Sequence, residues 1–194
     1  SLTNPLKLSN TFRSVANLPI SDKTVSNYLM YLEDAFLADK SKRYDVKGKK
    51  YLSTPSKYYF TDLGLRNATL NFRQQEENHI MENVIYLELL KRGFAVDVGI
   101  VETSKRNAEG KLVRNYAEVD FIANRGNNKF YIQSAFAMDT DEKQAQEKNS
   151  LLNIKDFFKK IIVVKDDIKR KRDENGIVTM SIYDFLLDDE SIEY

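Results

Sequence analysis

Cysteine and tryptophan are both absent from the 194 residues. Without cysteine there are no disulfides, thiolate metal sites or thiol nucleophiles, and the pattern fits a reducing, cytoplasmic setting. A single histidine, His79, argues against Ser-His-Asp catalysis and against multi-histidine metal centres. Any metal would then be held by carboxylates, which favours a hard ion, magnesium or manganese. Prolines number three and glycines seven, and neither clusters into a linker. Internal repeats and low-complexity tracts are missing too. No apolar run approaches the roughly 18 to 20 residues that a membrane span needs, and no basic-then-apolar secretory signal opens the chain. No membrane partner is expected. The first residue is Ser1 rather than methionine, and Ser1-Leu-Thr-Asn4 reads like the interior of a longer protein.

What is present describes an ordinary globular protein, 42% hydrophobic and 30% charged. The length suits one large domain or two small ones. Net charge is +1 but unevenly spread: residues 1–60 carry ten Lys and Arg against five Asp and Glu, and the remainder 20 against 24. A basic beginning and a mildly acidic remainder point to two modules.

The first module is expected over 1–60. Leu6 to Ala16 reads as a short helix, and Pro19, Ser21 and Asp22 supply a break and an N-cap. From Lys23, the residues Val25, Leu29, Leu32 and Phe36 recur at helical spacing. Gly48 among lysines, between alternating apolar positions, marks a hairpin over Lys40 to Leu52. Helix, turn, helix and basic hairpin is the layout of a winged helix. Residues 61–78 read as a connecting segment.

The second module is expected over 79–194. Ile80 to Arg92 is an amphipathic helix stopped by Gly93. Strands follow at Phe94–Val101, Ala117–Ala123 and Lys129–Met138, with a tight turn at Arg125–Asn128. Asp141–Phe158 reads as a helix, Lys160–Lys165 and Gly176–Ser181 as strands, and Tyr183–Leu187 as a closing helical turn. Lys165 to Glu174 reads as a solvated loop. This order implies an α/β (α+β) fold, a mixed sheet flanked by helices.

One constellation bears on chemistry. Glu82 sits on the first helix of the second module, among apolar neighbours. In Ala117-Glu-Val-Asp-Phe-Ile122, strand alternation puts Glu118 and Asp120 on one side and Val119 and Phe121 on the other. On the next strand Tyr131, Gln133 and Ala135 share a face, so a hairpin brings Asp120 to Gln133, with Glu82 approaching from the helix.

A helix acid, an Asp in an apolar strand and a following strand with a polar-x-Lys position resemble the PD-(D/E)XK nucleases. The resemblance implies a restriction-endonuclease-like domain, in which carboxylates hold divalent ions that activate the attacking water. Glu82 and Asp120 match the two acids and would be the magnesium or manganese ligands. Gln133-Ser134-Ala135 occupies the third motif and departs from it twice: Gln133 brings no charge and Ala135 no amine. A displaced lysine, Lys129 or Lys143, would be needed for cleavage. The whole chain also resembles the C-terminal region of a large family of bacterial and archaeal AAA+-type ATPases of uncertain role. That resemblance rests on Val25-Ser-Asn-Tyr-Leu29, Arg43-Tyr-Asp-Val-Lys-Gly-Lys-Lys50, Tyr59-Phe-Thr-Asp-Leu-Gly-Leu-Arg66, the Glu82 to Gly93 helix and Glu118-Val-Asp-Phe121. It implies an N-terminal ATPase domain as partner, although no phosphate-binding loop occurs in this chain.

The leading expectation is therefore a non-catalytic nucleic-acid-binding or regulatory module with a vestigial Glu82, Asp120 and Gln133 centre. DNA contact would use Lys23, Ser26 and Asn27 on the second helix and Lys47, Lys49 and Lys50 on the wing. The alternatives are an active magnesium- or manganese-dependent nuclease with a displaced lysine, and a protein-interaction or oligomerisation platform.

Overall fold

Helix α1 (Pro5–Ala16) begins where the Asn4 side chain accepts the Lys7 backbone N–H at 2.7 Å, with Pro5 in the first turn. In the computed structural model, which describes residues 2–73, 76–106 and 109–193, the chain is mixed α/β. It divides into two compact units, residues 1–43 with 51–75, and residues 44–50 with 76–194.

The first unit continues with α2 (Asp22–Asp34), capped by Ser21 on the Thr24 N–H. A hairpin of β1 (Ala38–Asp45) and β2 (Lys50–Phe60) follows, and then α3 (Leu63–Thr69). Two expectations shift here. The segment expected to connect the modules contains α3, and as far as residue 75 it groups with the first unit. The hairpin tip, Tyr44–Lys50, groups with the second unit; within that unit Val46 donates its backbone N–H to the Ile100 carbonyl at 3.0 Å.

The second unit is built on α4 (Glu77–Lys91), β3 (Ala95–Arg106), β4 (Leu112–Arg125), β5 (Asn128–Ala135), α5 (Asp141–Leu152), β6 (Lys159–Val164), β7 (Lys171–Arg172), β8 (Val178–Ser181) and α6 (Ile182–Leu187). Its strands run in the order β3-β4-β5-β6-β8-β7. The β3–β4 and β4–β5 pairs are antiparallel, whereas β5–β6 and β6–β8 are parallel. Helix α5 supplies the crossover that a parallel β5–β6 pair requires. It ends at Leu152, one and a half turns earlier than expected, because Asp156 leaves the helix to accept the Tyr131 hydroxyl at 2.6 Å. Strands β3 and β4 are longer than expected, their outer halves forming a two-stranded arm from the polar stretch read as a connection. The loop after Lys165 holds β7, which pairs with β8.

Apolar side chains cover both faces of this sheet. On the α4 side Tyr86 meets Phe121 at 6.4 Å, and Phe94 meets Phe130 edge-on at 5.6 Å. On the α5 side Leu151 and Ile154 pack with Val119, Ile122, Tyr131, Ala135 and Ile162.

One irregularity fixes the centre of the sheet. Asp97 pairs with Ile122 but Gly99 pairs with Val119, so β4 holds one residue more than β3 over this stretch. The extra residue lies at Asp120–Phe121, a β-bulge. Val119 and Ile122, three positions apart, consequently enter the same cluster. The uniform alternation expected over 117–122 breaks here. A β-carbon on Gly99 would lie 2.9 Å from the Val119 Cβ and 3.1 Å from the Ile122 Cγ1. Glycine is what lets the strands close.

Candidate functional site

The bulge leaves backbone groups without the usual ladder partners, and side chains take their place. Pairing of β4 with β5 runs from Arg125–Asn128 to Phe121–Ile132. Just beyond, the Asp120 Oδ2 accepts the Ser134 backbone N–H at 3.0 Å, and the Gln133 Oε1 accepts the Asp120 backbone N–H at 3.4 Å. The Gln133 Nε2 donates in turn to the Glu147 Oε2 of α5 at 3.1 Å. Asp120 is 8% exposed. The expected meeting of Asp120 and Gln133 is thus present in the geometry, with Glu147 as an unforeseen third member.

Glu82 lies on α4 four residues before Tyr86, the residue that packs on Phe121. Helical spacing also puts it four residues after Asn78, which lines a cleft of about 540 Å³ with Glu77, Phe136, Lys143 and Glu147. Glu82 is half-buried. Across the cleft Glu77 accepts the Lys165 ammonium at 2.9 Å, and this ammonium rests 4.4 Å over the Phe136 ring.

Ala135 is 1% exposed and belongs to the α5-side core, so no amine enters from the third-motif position. Lys143 lines the cleft, but Asp139 holds its ammonium at 2.8 Å. Lys129 pairs with Asn124, four residues along β5 from Gln133, roughly 13 Å at the rise of a strand. Its ammonium sits 5.2 Å from the Phe158 ring and 5.8 Å from the Tyr44 ring. The Lys129 ammonium is thus engaged by two aromatic rings.

The fit of these groups to magnesium or manganese is poor. One Asp120 oxygen is occupied by a backbone N–H, the Gln133 oxygen by another, and Glu147 already accepts from the Gln133 amide. Among the described residues no three His, Cys, Asp or Glu side chains are grouped to hold a metal ion.

Burial holds the Glu147 carboxyl above the usual carboxylate range, and the Gln133 donation opposes that shift without cancelling it. A carboxyl raised in the folded state carries no penalty in acid, where both states are protonated. The penalty grows as pH rises through the unfolded and then the folded value. Glu147→Gln keeps an acceptor for Gln133 and removes the charge. It is expected to be more stable than the parent at neutral pH, with the difference vanishing below the carboxylate range; urea unfolding at the two pH values checks it. Glu147 had one signal in the sequence, a carboxylate four residues before Leu151 on the inward side of α5.

The six residues expected at DNA fall in both units. On α2, Lys23, Ser26 and Asn27 are exposed. Ser26 also lines a groove of about 370 Å³ with Met30, Glu33 and Tyr58, where burial and then the Glu33 charge push the Tyr58 hydroxyl up. Lys47, Lys49 and Lys50 lie at the hairpin tip, and the Lys47 ammonium is 3.1 Å from Glu102.

Comparison with known proteins adds relatives. Residues 2–76 match the model for Domain of unknown function (DUF8612). The matched stretch corresponds closely to the first unit, which ends at residue 75. A Haemophilus influenzae protein carrying the name "Uncharacterized protein" is 37% identical over 186 residues, 96% of this chain and 42% of the relative. "Uncharacterized protein MJ1544" of Methanocaldococcus jannaschii is 31% identical over 151 residues, 78% of this chain and 31% of the relative. The chain thus spans well under half the length of these curated relatives. No solved structure matches it significantly. No helix among the described residues is long and apolar enough to cross a membrane.

Proposed function

We propose that this chain is a nucleic-acid-binding regulatory module of an AAA+-type ATPase, in which a winged helix precedes a nuclease-like domain that has lost its chemistry. The observation that carries the reading is the fate of the third motif. Gln133 is engaged in bridging the Asp120 backbone to Glu147, and Ala135 is core. Phosphodiester hydrolysis by divalent ions needs clustered negative charge and a polarised water. An amide bonded on both sides supplies neither. What remains is a fold with lysine-bearing surfaces suited to phosphate.

A second reading, the interaction platform, is favoured by the first unit. Among its described residues only Val25, Ala38 and Tyr59 are buried apolar side chains, whereas Val15, Tyr31, Phe36, Tyr51 and Phe72 are more than half exposed. Exposed apolar surface of this extent marks contact sites.

One assay separates the readings. The purified chain is incubated with labelled single- and double-stranded DNA and RNA, with magnesium or manganese, and binding is followed from about 50 to 200 mM salt. Binding that weakens steeply with salt, without cleavage, is the expected result. Cleavage that disappears in Asp120→Ala overturns the loss of chemistry. Failure to bind any nucleic acid at low salt leaves the platform reading.

A further inference from the structure

The second unit has another concavity, remote in sequence from Asp120. A groove of about 360 Å³ lies between the hairpin tip, the middle of β3 and the loop after α5. Lys47 and Lys49 line it from the tip and Lys155 from the loop, over Val101 and Ile154. Asp156 is the last lining residue, and the next, Phe157, stands wholly in solvent at 106% exposure.

The acids of this region are consumed by the fold. Asp45 closes the hairpin turn by accepting the Lys47 and Gly48 backbone N–H groups at 3.1 and 2.9 Å. Asp156 takes the Tyr131 hydroxyl on one oxygen and the Phe158 N–H on the other. Glu102 faces both Lys47, at 3.1 Å, and Arg114, at 3.7 Å. Lys49 and Lys155 have no acidic partner among the described residues. Lys129, stacked between the Tyr44 and Phe158 rings, adds a further cation. The balance of the region is positive although the unit as a whole is acidic. Among the described residues none covers the Phe157 ring.

We propose that this groove binds single-stranded nucleic acid, with Lys49 and Lys155 on backbone phosphates and Phe157 stacked on an unpaired base. The inference rests on the nucleic-acid reading above and names its substrate class. Cations tracking a backbone beside an aromatic ring form the general recipe for single strands. A single strand fits better than a duplex for one reason. The face of an exposed ring is useful only to a base whose own face is free, and bases inside a duplex cover one another.

The test uses the full chain and fluorescence anisotropy. The probes are oligo(dT) and oligo(U) of about 12 nucleotides, within the site sizes such grooves occupy, and a duplex of equal length. Single strands, oligo(dT) and oligo(U) alike, are expected to bind more tightly than the duplex. Phe157→Ala is expected to weaken single-strand binding at least about five-fold. Lys49→Gln with Lys155→Gln should lower the salt slope by about 1.4, two phosphates at roughly 0.7 each. Both variants alter exposed side chains, and unchanged circular dichroism separates lost binding from lost folding. Single-strand binding that ignores both variants overturns this inference, as does preference for the duplex; either leaves the nucleic-acid reading standing. If neither single strands nor the duplex binds at low salt, both proposals are overturned.

Discussion

Replacing Arg92 with alanine is expected to cost about 3–5 kcal/mol of folding stability, the loss usual when one partner of a buried ion pair is removed. The Arg92 side chain is 4% exposed, and its Nε donates to Glu88, itself only 10% exposed, at 2.9 Å. The same guanidinium donates to the Phe185 carbonyl and to the Ser191 hydroxyl, and lies 4.6 Å from the Phe185 ring. It therefore ties α4 to α6 and to the chain beyond. Among the described residues, truncation leaves Glu88 with only the solvent-exposed Lys91, at 3.3 Å, as a cationic partner. It also removes one of the two donors to the Phe185 carbonyl, leaving the Ser191 hydroxyl at 3.2 Å. In thermal denaturation this corresponds to a drop of roughly 10 °C, at about 2–4 °C per kcal/mol for a chain of this size. Arg92→Lys should recover little, because an ammonium cannot span three acceptors as the planar fork does. A double change of Glu88→Leu with Arg92→Met should recover much of the loss, since a well-packed apolar pair often replaces a buried ion pair without penalty. A melting temperature unchanged in Arg92→Ala would show that the network contributes nothing.

Gly99→Val is expected to cost about 1–3 kcal/mol or somewhat more, the usual penalty of overpacking a filled core. The contact that decides it is the 2.9 Å approach of a would-be Cβ to Val119, closer than unstrained side-chain carbons come. Val119 and Ile122 are both essentially inaccessible to solvent and cannot swing away. Urea unfolding should show a lower midpoint with an unchanged slope. Gly99→Ala should be milder, and combining it with Val119→Ala should restore part of the loss, because the two positions share one space. The variant also probes the candidate site. Asp120 lies in the bulge next to Val119, the partner of Gly99, so forcing the strands apart should disturb the Asp120 to Ser134 hydrogen bond before it disturbs distant elements.

Both variants report on features that a linear reading of the chain handles poorly. Periodicity, with local signals, identified α2 and α4: apolar residues recur at helical spacing in each, Ser21 marks the start of α2 and Gly93 the stop after α4. It also located β5 and β6, whose apolar residues are dense. It misjudged the outer halves of β3 and β4: the five residues from Leu112 to Tyr116 are all exposed, and their apolar and polar side chains do not alternate. It overran the end of α5, because a Tyr131 hydroxyl 25 residues away draws Asp156 out of the helix. No local signal encodes a partner at that distance.

The candidate site divides in the same way. Amino-acid identity alone determined that positions 133 and 135 hold an amide and a methyl group, with neither a carboxylate nor an amine, and that no cysteine or histidine cluster is available to this chain. It also carried the pairing of Asp120 with Gln133, since two strands joined by a tight turn must bring such positions together. Only the tertiary structure decided what those groups do once there. The bulge turns Asp120 and Gln133 into substitutes for missing ladder bonds, and Glu147 arrives from a helix that the sequence could not orient. The reason is physical: residue type fixes which interactions a side chain can make, but strand register and helix packing, set by the whole core, fix which of them it finds.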